Sequence, residues 1–94
     1  MIEILKFGAE WCKPCKRQDT VLEDIAETHP EITIRDIDVE EEGNRELKRR
    51  FEPRALPTTV VLRDDEPVEQ FTGFVDTDEL SATLDAIEAD RSAA

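Results

Sequence analysis

Cys12 and Cys15 are the two cysteines of the chain, and Lys13-Pro14 lies between them. Sulfurs at that spacing suit a dithiol that cycles with a disulfide, half of a tetrahedral metal site, or a structural cross-link. A zinc site needs a second pair of thiolate or imidazole ligands. His29 is the single histidine, so only a dimer would complete such a site, and no metal is expected. A cross-link over so short a loop stabilises little, and a reducing cytosol would open it. Redox cycling is the favoured chemistry, because the pair falls where a strand hands over to a helix. The leading N–H groups of a helix have no partner and its dipole is positive there, so a thiolate is stabilised. Cys12 is expected at the helix start and exposed, with Cys15 beneath it and more buried. Pro14 costs no hydrogen bond in a first turn, and the charge of Lys13 favours the thiolate.

The elements that must hold this junction follow from periodicity. Ile2 to Phe7 is β-branched and apolar enough for an interior strand. A helix follows from Lys13 to Thr28, with Cys15, Gln18, Val21, Leu22, Ile25 and Ala26 along one face. His29-Pro30 stops it, since the residue before proline is driven out of the helical region. Glu31 to Val39 alternates, with Ile32, Ile34 and Asp36 on one face and Thr33, Arg35 and Ile37 on the other. A short helix over Gly43 to Glu52 buries Leu47 and Phe51. Its acidic start and its basic Lys48-Arg49-Arg50 end suit the helix dipole and need no binding role. Thr58 to Arg63 is a strand, and Asp64-Asp65-Glu66-Pro67 turns into another, Val68 to Thr72. Asp76 caps a last helix, with Glu79 at capping-box spacing. Leu80, Thr83, Leu84 and Ile87 form its inward stripe.

The resulting order, β-α-β-α-β-β-α, begins with a right-handed crossover between parallel strands. The hairpin adds an antiparallel pair, giving an α/β fold with a four-stranded mixed sheet and helices for both faces. One domain is expected over residues 1–90, followed by a disordered tail at 91–94.

Acidic residues number 24 against 12 basic ones, a net charge of −12. That balance argues against nucleic acid, whose phosphates need a basic face, and against an anionic membrane surface. No apolar run approaches a membrane span, and Met1-Ile2-Glu3-Ile4 lacks a basic leader, so a cytoplasmic protein is expected. Self-repulsion on this scale loosens a small domain at low ionic strength, and salt screens it, with a Debye length of roughly 3 Å at 1 M. The composition suits a halophilic protein.

Three segments together resemble the thioredoxin family over nearly the whole chain. Phe7-Gly8-Ala9-Glu10-Trp11-Cys12-Lys13-Pro14-Cys15-Lys16 is similar to its active-site stretch, Ala55-Leu56-Pro57-Thr58 to its cis-proline loop, and Thr72-Gly73 to the glycine segment beside the active site. The resemblance implies a thioredoxin-like fold and a protein-disulfide reductase. Cys12 would attack a client disulfide and Cys15 would resolve the mixed disulfide. Trp11, Lys13, Pro14, Leu56, Pro57 and Gly73 would contact the client, and the bond before Pro57 would be cis. It implies client proteins bearing disulfides, an electron donor of thioredoxin-reductase type, a monomer, and no cofactor beyond the cysteine pair. Arg54, in the approach to Pro57, is a candidate for steering an acidic partner.

The departures are specific. No strand-helix unit precedes Ile2, so a shorter version nearer glutaredoxin in size is expected. Lys13 stands where the family most often has glycine, and Thr20 where many members have a kinking proline, so a straighter helix is expected. Lys6 stands where the family usually has a buried aspartate that relays protons for the buried cysteine. The position that would carry the matching lysine on the neighbouring strand is Asp36. A charge-swapped pair behind Cys15 is expected, with Asp36 able to take the proton; the alternative leaves both side chains in solvent, Lys6 by snorkelling. Two other functions remain open on sequence alone. A glutaredoxin-like enzyme would act on small-thiol mixed disulfides, though Gly73-Phe74-Val75-Asp76 lacks the double glycine expected there. A non-catalytic binding module would use the same fold without turnover.

Overall fold

The first apolar run forms β1 (Ile2–Gly8), and α1 (Lys13–Thr28) carries the chain back to β2 (Thr33–Asp38). A 3-10 turn at Glu42–Asn44 and the short α2 (Arg45–Phe51) precede the hairpin of β3 (Thr58–Arg63) and β4 (Glu66–Thr72), and α3 (Thr77–Ala93) closes the fold. The structure is a computed structural model that describes residues 1–93, with side chains through Asp90; the side chains of the tail expected over 91–94 lie outside it. The sheet is ordered β2-β1-β3-β4, with β2 parallel to β1, β3 antiparallel to β1, and β4 antiparallel to β3. The expected element order and mixed sheet are what the chain forms.

β1 has neighbours on both edges and helices on both faces, so it is buried almost throughout. Period-two alternation divides its side chains between two cores. Ile2 and Ile4 pack with Val21, Leu22 and Ile25 of α1 and Leu80 and Leu84 of α3. Leu5 and Phe7 pack with Ile37, Val60, Leu62 and Phe51 of α2. Lys6, on the Ile2/Ile4 face, is the buried charged residue of the strand, whereas Glu3 is only half-buried. Ala26, expected on the inward stripe, lies at its edge and is exposed, because the buried positions drift around α1 between Cys15 and Ile25.

Three boundaries differ from the sequence reading. β4 begins at Glu66, because Asp64 (φ 51°) and Asp65 (φ 70°) alone make the turn in the left-handed region that a two-residue hairpin demands. Pro67 then lies within an edge strand, where its missing N–H need not break the sheet. β2 starts later than expected, since Ile32 N–H donates to the His29 carbonyl at 3.1 Å in a turn. The second helix opens with the 3-10 turn and ends where Glu52 adopts φ 45° before Pro53. The capping role of Asp76 holds: its carboxylate accepts the Glu79 N–H at 2.8 Å.

Glu31 raises the pKa of Glu88 above its ordinary value through a shared hydrogen bond, assisted by burial. A raised carboxyl pKa favours the folded state while the group is protonated, and that contribution is lost as pH rises through the folded-state value. Glu88→Gln should therefore raise the thermal midpoint at pH 7 by ~2 °C, a small gain because solvent screens the pair. At about pH 3, where the carboxyl is protonated anyway, the two proteins should melt together. An equal gain at both pH values in calorimetry would refute this account.

Candidate active site

β1 ends at Gly8, and a single turn, closed by Cys12 N–H to the Ala9 carbonyl at 3.1 Å, leads into α1. Cys12 is the N-cap of that helix, with extended backbone (φ −89°, ψ 109°) and Pro14 in the first turn. Its Sγ accepts the Cys15 N–H at 3.2 Å. A serine or aspartate cap works in the same way through oxygen. An otherwise unpaired helix N–H thus points at the sulfur, which is the local arrangement that stabilises a thiolate. Cys12 and Cys15 are joined as a disulfide, with Cα atoms 5.3 Å apart.

One expectation is corrected here. Cys12 is only 4% exposed, against 1% for Cys15. Capping is the reason: the Cys12 sulfur folds back over the helix end, while Trp11, Lys13 and Pro14 take the outward positions. Trp11 is 67% exposed, and Phe74 is a second exposed aromatic, with the Arg17 guanidinium stacked 4.4 Å from its ring centre.

The sheet register sets the opposite wall. Phe7 pairs with Thr58 and Thr58 with Thr72, so Gly8, Pro57 and Gly73 come one residue further on at the same end of the sheet. The Leu56–Pro57 bond is cis. Gly73, at φ 89°, donates its N–H to the Pro57 carbonyl at 2.8 Å. That positive φ is open to glycine at no steric cost. Leu56 is half-buried against the α2-side core, and Pro57 is buried. Gln18, fully buried, ties this wall to α1: its Nε2 donates to the Val75 carbonyl at 3.0 Å and its Oε1 accepts the Val75 N–H at 2.9 Å.

Behind Cys15 lies an open cavity of about 430 Å³ whose lining includes Lys6, Gly8, Cys15, Asp19 and Asp36. Lys6 and Asp36 are partners in the parallel register, and Lys6 Nζ is 3.0 Å from Asp36 Oδ1. The side-by-side arrangement expected for the pair is present, but it is incomplete. Asp19, on α1, is closer still, its Oδ1 2.6 Å from the same nitrogen. Burial acts to lower the Lys6 pKa, and the hydrogen bonds and charges of Asp19 and Asp36 together outweigh it, so the net shift is upward. His29 is engaged elsewhere, its ring nitrogens 2.9 Å from Thr28 Oγ1 and 3.0 Å from Asp85 Oδ1.

Residue patterns singled out Cys12 and Cys15, and the family resemblance added Pro57, Gly73, Lys6 and Asp36; the structure brings all six to one end of the sheet. Sequence reasoning missed Asp19, the bridging role of Gln18 and the exposed ring of Phe74. Asp19 carried a signal, since it lies one turn beyond Cys15 and so shares its helix face.

A cysteine pair that caps a helix after the first strand of a β-α-β unit, at the same end of the sheet as a cis-proline, defines a thiol–disulfide oxidoreductase of thioredoxin-like fold. Comparison with known proteins agrees. The thioredoxin family profile matches residues 2–86. Thioredoxin of Staphylococcus haemolyticus is 35% identical over 85 residues, covering 89% of this chain and 80% of its own length. Among solved structures, a variant thioredoxin of Halobacterium salinarum superposes with a TM-score of 0.81 at 33% identity, over 90% of this chain and 73% of that one. Fasciola hepatica thioredoxin gives 0.78 at 27% identity, over 90% and 79%. The chain belongs to the thioredoxin family.

Proposed function

We propose that the protein runs in the reducing direction on disulfides of client proteins, with Cys12 as the attacking sulfur and Cys15 as the resolving one. The observation that carries this reading is the Cys15 N–H directed at Cys12 Sγ at the head of α1. In the reduced protein the same hydrogen bond and the helix dipole favour the Cys12 thiolate. That thiolate attacks one client sulfur; the client disulfide breaks, and the other client sulfur leaves as a thiolate and takes a proton. Cys15 then gives its proton to Asp36, held beside Lys6, and attacks Cys12 Sγ. The second client sulfur departs with the electron pair, and the Cys12–Cys15 disulfide remains. Two electrons pass to the client, and a donor of thioredoxin-reductase type restores the dithiol.

Exposed Trp11, Lys13 and Pro14 and half-buried Leu56 and Gly73 form the client-facing surface in this reading, with the buried Pro57 ring as its floor. Its support is the shared sheet end and the exposure of Trp11. Arg54, exposed and without an ion pair among the described residues, steers acidic segments toward it. The protein acts as a cytoplasmic monomer with no cofactor but its own sulfurs, and binds neither nucleic acid nor membrane. No helix of the described chain is long and apolar enough to cross a membrane. A halophilic setting is supported by the net charge of −12 and by the likeness to the Halobacterium protein.

Insulin reduction coupled to a thioredoxin reductase, in high salt, tests the function. Turnover without added small thiol supports it, and turnover only with glutathione overturns it in favour of a glutaredoxin-like enzyme. The proton-acceptor role has its own test. Asp36→Asn should slow reduction about tenfold near pH 6.5 and less at alkaline pH, where solvent hydroxide takes the proton. An unchanged pH profile would retire Asp36 from the relay.

A further inference from the structure

Behind the disulfide this chain carries a buried cation. The Lys6 side chain is 4% exposed, while its partners Asp19 and Asp36 are 47% and 71% exposed. The ammonium group is thus the desolvated member of the cluster, and its carboxylates reach water. The Lys6 stem passes close to the inner sulfur. A Cβ built on Gly8 would stand 3.0 Å from Lys6 Cε and 3.1 Å from Cys15 Sγ. The two atoms are therefore no more than about 6 Å apart, and a side chain at position 8 would crowd both.

We propose that Lys6 is the counter-charge of the Cys15 thiolate: a fixed ammonium, clamped by Asp19 and Asp36, that makes the resolving sulfur ionise more readily than its burial alone would allow. The inference rests on the reading of Cys15 as the resolving sulfur and adds an electrostatic source for its reactivity.

The charged groups lining the cavity come from every element around it: Lys6 on β1, Lys16 and Asp19 on α1, Asp36 and Asp38 on β2, and Glu10 in the connecting turn. Carboxylates outnumber ammonium groups there, so a simple count would predict a suppressed thiolate. Distance and solvent reverse that count. Coulomb energy scales inversely with distance and dielectric constant. Asp19 and Asp36 spend much of their field on water and on Lys6 itself, whereas the buried Lys6 side chain passes within about 6 Å of the sulfur. Burial of a thiol raises its pKa, and the ammonium offsets that rise. Lys6 stays charged while a thiol titrates, because its own pKa is shifted upward. It cannot serve as a base, so its part is electrostatic, and Lys6 is a positioning residue for charge.

Cys12→Ser leaves Cys15 as the single thiol, and thiolate absorbance in that protein reports its titration directly. Adding Lys6→Met should move the titration to higher pH, so that the thiolate fraction below the midpoint falls about tenfold. Lys6→Gln, whose amide can hydrogen-bond both carboxylates, should do the same and keeps the test open where the Met variant does not fold. Lys6→Arg should restore the original midpoint. A purely structural Lys6 would lower thermal stability in the neutral variants and leave the Cys15 titration in place; that result overturns the proposal. The titration needs no client or donor. A protein that fails to reduce insulin, yet shows the shifted Cys15 titration, would refute the proposed function and leave this inference standing.

Discussion

Cys15→Ser should turn the protein from a catalyst into a trap. Cys12 keeps its place at the helix cap, so its attack on a client disulfide continues. The mixed disulfide then has no internal thiol to resolve it. Cys15 stands one helical turn from Cys12, with Cα atoms 5.3 Å apart, and acts on Cys12 Sγ without diffusing to it. Effective molarities of well-placed intramolecular groups reach about 10⁵ M or more, whereas external thiols are present at millimolar levels. Turnover in insulin reduction should therefore fall by at least ~10³-fold. One client should accumulate per protein molecule, visible as a disulfide-linked species on non-reducing gels. Cys12→Ser should abolish both turnover and trapping. A Cys15→Ser protein that traps nothing would mean that Cys12 does not attack, and the binding-module alternative would take the place of the enzyme.

Gln18→Leu should produce the largest loss of stability from a single polar side chain. Leucine matches glutamine in size, so little cavity opens. The loss comes from Val75, whose buried N–H and C=O both depend on the Gln18 amide. An unsatisfied buried polar group costs about 1–3 kcal/mol, so orphaning both should remove about 2–6 kcal/mol. For a small domain that is a large share of the ~5–15 kcal/mol that keeps it folded. Function should suffer as well, because Val75 is two residues past Gly73, whose N–H holds the Pro57 carbonyl. Gln18→Glu offers a pH-dependent version. Its carboxylate can accept the Val75 N–H but cannot donate to the Val75 carbonyl, and protonation at acid pH returns that donor. Its deficit relative to the parent protein should shrink as pH falls. Denaturant unfolding of the oxidised protein measures both, and a Gln18→Leu cost below about 0.5 kcal/mol would contradict the argument.

Much of the candidate site was legible because its logic is local. A cysteine at a strand-to-helix junction, a proline two residues later and an apolar period of 3.6 are properties of a few consecutive residues. They specify α1 over Lys13–Thr28 to the residue. The same holds for β3 over Thr58–Arg63 and for the Asp76 cap. Strand alternation put Lys6 and Asp36 on matching faces, and the parallel register then made them neighbours.

What the amino-acid sequence determined unaided was the set of elements, their polarity and the thiol pair at the head of a helix. Short-range sterics, capping and periodicity decide those before any packing occurs. The tertiary structure alone decided that Asp19 shares Lys6 with Asp36, that Gln18 reaches a peptide group 57 residues away, and that Gly8 lies against both the Lys6 stem and the Cys15 sulfur. Each of those depends on how α1 lies across the sheet. That placement is set by the summed burial of two cores on opposite faces of β1, a quantity spread over the whole chain and written in no single segment of it.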